Sequence, residues 1–96
     1  MSQQIIVSTT GPIDLKPLLE SAIRSELQML ELSLDRTAKH LRTFETQYGL
    51  TSEAFMQCFE AGELDESLDY IEWAGEIKTY QLLQTQQRAL QSAHVQ

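Results

Sequence analysis

Four acids recur at helical spacing in this 96-residue chain: Asp65, Asp69, Glu72 and Glu76. At i, i+4, i+7 and i+11 they share one side of a helix, and carboxylates so placed can hold Mg²⁺ or Ca²⁺. Helical metal sites in bundles usually add a Glu-x-x-His pair, and none occurs here. The other reactive groups are isolated. Cys58 is the only cysteine. It falls on an apolar helix face with Phe55 and Phe59, where a free thiol acts as a small hydrophobe, and no cation lies nearby in sequence to lower its pKa. His40 lies next to the apolar positions of a long helical segment, and no Ser–His–Asp or Cys–His set stands out around it or His94. One cysteine and two histidines supply too few soft ligands for structural zinc. Gly11, Gly49, Gly62 and Gly75 are too far apart to form a phosphate loop. No catalytic residue, metal or cofactor is expected, and the chain reads as a binding protein and not as an enzyme.

What the acids can do is set by their distribution. Residues 1–42 hold five basic groups (Lys16, Arg24, Arg36, Lys39, Arg42) and five acids, and so are neutral. Residues 43–77 hold nine acids and no Lys or Arg, while residues 78–96 hold only Lys78 and Arg88. The net charge of −7 is therefore a concentrated block in the middle third. Such a block repels phosphates and steers a basic protein surface toward it. The bland reading is a solvated helix face. No stretch approaches the ~20 apolar residues of a membrane span, and residues 1–10 have no basic start of a secretory signal. A single thiol without such a signal fits the reducing cytoplasm.

Three segments must position these groups. Asp14 can cap a helix, Pro17 falls in its first turn, and no Gly or Pro follows until Gly49, which suits a left-handed helix end. The spacing predicts a helix over 15–48, roughly 50 Å long. Along it Leu19, Ile23, Leu27, Leu30, Leu34, Thr37, Leu41, Phe44 and Tyr48 form a heptad seam with one polar member. Leu15, Leu18, Ala22, Met29 and Ala38 widen it. Thr51 or Ser52 can cap a short helix over 52–61 that Gly62 ends. A third helix is expected over 64–93, where Gly75 permits close backbone approach or marks a kink. Its last turns, which are Gln-rich, are expected to fray. Aromatic residues crowd this half: Phe55 and Phe59 with Trp73 read as the core where the two later helices meet the first, while Tyr and Trp beside acids also suit a binding hot spot. Gln4 to Thr9 is β-rich and read as a strand, pairing with its copy or ordering on a partner, with a frayed tail as the bland alternative.

At Tyr48-Gly49-Leu50-Thr51-Ser52-Glu53-Ala54-Phe55, continuing through Gly62-Glu63-Leu64 and Glu72-Trp73, the chain resembles a group of small bacterial and archaeal helical proteins. In these a long heptad helix leads into a similar turn, then GEL, then an E-W helix. The likeness covers about residues 23–80. Some members resemble the TumA-type antitoxins paired with TumE-type toxins. The resemblance implies a non-enzymatic antitoxin whose acids meet a basic, RNA-holding toxin surface. The chain departs from antitoxins generally in having no basic DNA-reading segment around Ile5-Ile6-Val7.

The expected fold is mainly α: a long heptad helix, a short helix and a C-terminal helix, with a short N-terminal strand or arm. The divisions are an arm at 1–13, a helical interaction domain at 14–90 and a frayed tail at 91–96. Because a core this small is often completed by a second subunit, a homodimer or higher homo-oligomer is expected. Its interface would be Ile23, Leu27, Leu30, Leu34 and Leu41, on a seam that one copy leaves bare. The partner-binding residues would be Glu63, Asp65, Glu66, Asp69, Tyr70, Glu72, Trp73 and Glu76, meeting a basic protein such as a cognate toxin. No nucleic-acid or membrane partner is expected. The alternatives are a structural or adaptor coiled-coil dimer without a toxin, and a ribbon-type DNA-binding autorepressor.

Overall fold

The first helix, α1 (Leu15–Tyr48), takes up the run that Gly and Pro leave uninterrupted apart from Pro17 in its first turn. It ends where the sequence places its stop. Gly49 adopts φ +67 and its N–H donates to the Glu45 carbonyl at 2.9 Å, a left-handed cap that L side chains resist. The computed structural model describes residues 4–5 and 15–95. The Asp14 cap and the arm over residues 6–13 lie outside the described residues.

The short helix α2 (Ser52–Glu60) starts on two acceptors. The Thr51 hydroxyl accepts from the Ala54 N–H at 3.1 Å, and a Glu45 carboxylate oxygen accepts from the Ser52 N–H at 2.8 Å. Both answer donors that a helix start leaves unpaired, and the carboxylate sits at the positive end of the dipole. α2 closes with Gly62 at φ +71, the Gly62 N–H on the Phe59 carbonyl and the Glu63 N–H on the Cys58 carbonyl at 3.0 Å. This pattern turns the chain back sharply.

The third helix, α3 (Leu68–Gln91), begins four residues later than the apolar spacing predicts. Ser67 is the reason: its hydroxyl accepts from the Tyr70 N–H at 3.1 Å. That leaves Leu64 in the link, packed on the core. Ser67 with Asp69 in the first turn is the signal that would have located the true start. Gly75 is exposed, and a Cβ built there meets nothing within 4 Å. The close approach read from the sequence is not what this glycine provides, and α3 runs on through it.

The contacts Tyr48–Asp69, Phe44–Trp73 and His40–Glu76 step along the two long helices in opposite directions. α3 therefore folds back antiparallel on α1, and the molecule is a hairpin measuring 62 × 22 × 18 Å. Beyond the end of α3, His94–Val95 (β2) pairs in parallel with Gln4–Ile5 (β1).

This hairpin corrects the expectation of a bare seam. Within a single chain Leu30 is buried, and Ile23, Leu27, Leu34 and Leu41 are half-buried. A helix of the same chain lies along the seam assigned to a second copy. Thr37, the polar member, is also buried and its hydroxyl donates to the Ser33 carbonyl at 2.9 Å. Bonding within its own helix leaves no unmet polar group in the seam. Among the described residues no helix is long and apolar enough to cross a membrane.

Candidate functional site

The closed end of the hairpin holds the aromatic core cluster of the described residues. Trp73 and Phe55 are both fully buried. Their rings stack with centroids 3.9 Å apart and planes 8° from parallel, and Phe44 lies against Trp73 at 5.6 Å. Tyr48 is 5.8 Å from Trp73 and meets Tyr70 edge-on at 5.3 Å. The indole Nε1–H donates to the Ser52 hydroxyl at 3.0 Å, so the one polar atom of a buried ring is satisfied. α2 is thereby fastened to α3 through its first residue, and α1 supplies a wall of the same cluster. The sequence marked Trp73 and Phe55 as core partners, but nothing in it pointed to Ser52, 21 residues away, as the acceptor.

The eight residues assigned to partner binding separate into two sets. Glu63, Asp65, Glu66 and Glu72 are exposed. The other four are used inside the chain. Trp73 is core and presents no surface, which removes it from any direct contact with a partner. Tyr70 is half-buried against Phe55 and Tyr48. Asp69 accepts a hydrogen bond from the Tyr48 hydroxyl. Glu76 is 3.5 Å from His40 Nδ1. The helical spacing put Asp65, Asp69, Glu72 and Glu76 in one line, but the link unwinds at Asp65, while Asp69 and Glu76 turn toward α1. Among the described residues no three of His, Cys, Asp and Glu gather into a group that could hold a metal ion.

Two large apolar side chains stand among the free acids instead. Leu68 is 84% exposed and Ile71 58% exposed. Both sit in the first two turns of a well-capped helix whose far side is locked by Trp73. Leu68 and Ile71 fall at helical spacing with Leu64 in the sequence. The late start of α3 and the packing of Tyr70, Trp73 and Ile77 turn that face outward. A recess of about 580 Å³ opens between the three helices and is lined by Leu41, Met56, Ile77, Arg42, Glu53 and Glu60 among others.

The Tyr48–Asp69 bond has a measurable signature. The Asp69 carboxylate accepts from the phenol, burial disfavours the phenolate, and the charges of Asp69 and Tyr70 add to both. Together they push Tyr48 from 10.0 up to about 12. A phenol held protonated in the fold contributes stability that is complete below pH 10 and is lost as pH rises toward 12. Urea midpoints should therefore fall between pH 10 and 12 more steeply in the wild type than in Tyr48→Phe. Parallel alkaline slopes for the two proteins would show that the bond does not tie α1 to α3.

Compared with protein-family models, with curated proteins and with solved structures, the chain matches none.

Proposed function

We propose that this chain is a non-enzymatic protein-binding module whose docking surface is the acidic closed end of the hairpin. The observation that carries this reading is the pair Leu68 and Ile71, exposed on a capped helix start, with the exposed acids Glu63, Asp65, Glu66 and Glu72 close by along the chain. Apolar side chains on an ordered element, near charge of one sign, are what a protein interface offers before it is covered. The acids select a partner with Lys and Arg around an apolar recess, and steer its approach.

The antitoxin reading gives this partner a chemistry. A ribonuclease-like toxin holds RNA on a basic surface, and carboxylates in place of phosphates would mask it. The absence of Lys and Arg over residues 43–77 suits that role, since any base there would oppose it. The adaptor and DNA-binding alternatives gain no comparable support from this surface.

The experiment is co-expression with the product of the adjoining gene, followed by a binding titration. Asp69 is left intact because Tyr48 depends on it. Replacing Glu63, Asp65, Glu66 and Glu72 with Lys should weaken capture at least tenfold, roughly 1.4 kcal/mol, and remove its salt dependence. Far-ultraviolet circular dichroism should be unchanged, because these side chains are exposed. Binding that survives the fourfold reversal, or an adjoining gene that encodes no basic protein, would sink the reading.

A further inference from the structure

A second apolar stripe remains uncovered on α1, about a third of a turn from the seam that α3 occupies. Leu18 is 59%, Met29 62% and Leu32 66% exposed, and Leu15 is partly so. These residues recur with Ala22 and Ser25 at 15, 18, 22, 25, 29 and 32, stepping 3, 4, 3, 4, 3, which is a heptad seam of its own. We infer that this stripe joins α1 to α1 of a second copy of this chain, with the two helices antiparallel.

Three features select that occupant. The first is size. In an antiparallel pairing where residue i meets residue 47 − i, Leu15 meets Leu32, Leu18 meets Met29 and Ala22 meets Ser25. Large side chains then meet at both ends, and small ones meet at the two-fold axis. A closed two-fold interface requires such self-complementarity. The second is charge. The next two positions of the stripe are Arg36 and Lys39, both exposed. Parallel helices would set each against its own copy, whereas antiparallel helices carry both past the partner's Leu15. No carboxylate falls on the stripe, although the chain carries −7. The third is area. The stripe is about 27 Å long. Leu18, Met29 and Leu32 each offer on the order of 100 Å² in each copy, so the pair with its flanks reaches roughly 1,000–1,200 Å², the lower edge of specific interfaces. The expected dimer is therefore of moderate affinity, around micromolar.

This contact differs from the seam of Ile23, Leu27, Leu30, Leu34 and Leu41, which the chain fills itself. It also lies away from the docking end, and it does not depend on the docking reading. Combined with that reading, it places two acidic ends at opposite poles, about 70 Å apart.

The test is sedimentation of the purified chain from about 1 to 100 μM, a range that brackets a micromolar dissociation constant. The wild type should pass from monomer to dimer, and Leu32→Glu should stay monomeric at all concentrations. Leu82→Glu, at a similarly exposed position on α3, should dimerise as the wild type does. Trp73 emission checks that each variant is folded. If Leu32→Glu fails to fold, Leu32→Gln should raise the dissociation constant at least tenfold. For orientation, chains carrying Leu18→Cys and Met29→Cys, both on Cys58→Ser, are mixed and oxidised. Crosslinks between the two different chains should dominate. A wild type that is monomeric throughout, a dimer that survives Leu32→Glu, or self-linking of Leu18→Cys as the main product would each overturn the inference.

Discussion

Trp73→Ala should lower the unfolding free energy by about 3–5 kcal/mol, the range for removing a large aromatic side chain from a core. A domain of this size holds roughly 5–15 kcal/mol in all, so the variant should sit near the edge of folding at room temperature. The loss has two parts. One is the void between Phe55 and Phe44, whose rings flank the indole at 3.9 and 5.6 Å; stacked pairs of this kind add about 0.5–1.5 kcal/mol beyond buried area. The other is the Ser52 hydroxyl, buried and left without its Nε1–H donor. Trp73→Phe separates the two by keeping a ring and dropping the donor, and should fall between wild type and Trp73→Ala. Adding Ser52→Ala to Trp73→Phe should cost little more, because removing both partners of a buried bond leaves nothing unmet. Urea denaturation followed by circular dichroism measures this series; fluorescence cannot, since Trp73 is the only tryptophan. If Trp73→Ala stays within 1 kcal/mol of wild type, the aromatic cluster is not what holds α2 against the hairpin.

The elements that were readable in the sequence are those fixed by local chemistry. α1 runs from Leu15 to Tyr48 as its spacing and Gly49 require, and α2 starts at Ser52 behind Thr51. These boundaries depend on caps and left-handed glycines, which act over a few residues. The start of α3 was misplaced because Leu64, Leu68 and Ile71 continue a helical spacing through a link that is not helical. Periodicity does not distinguish a helix from a turn that happens to carry leucines at the same interval. The seam on α1 was readable as a seam, but its occupant was not. A heptad records that something apolar packs there, and α3 of the same chain satisfies it as well as another molecule. For the same reason the row of acids does not form one line on the folded chain. Acids in a row share a face only if the row is helical throughout, and the unwinding at Asp65, with Tyr48 and His40 claiming Asp69 and Glu76, leaves four free.

Neighbouring residues on α1 give the sharpest separation between the two seams. Leu30 is buried against the rest of its own chain, while Met29 points to solvent. Leu30→Ala should cost about 2–5 kcal/mol, the transfer term plus a cavity in the hairpin seam. Met29→Ala should change the stability of the single chain by no more than about 0.5 kcal/mol, as at an ordinary surface position. Association should respond the other way round, with Met29→Ala raising the dimer dissociation constant and Leu30→Ala leaving it nearly unchanged. The logic is linkage: a contact made only in the dimer makes the stability it contributes depend on protein concentration, whereas a contact within one chain does not. The difference between Leu30→Ala and wild type should therefore be the same at two concentrations roughly a hundredfold apart. A difference that grows with concentration would mean that Leu30 packs against another molecule. The hairpin would then have to open in the dimer, and α3 would have to leave the seam it covers here.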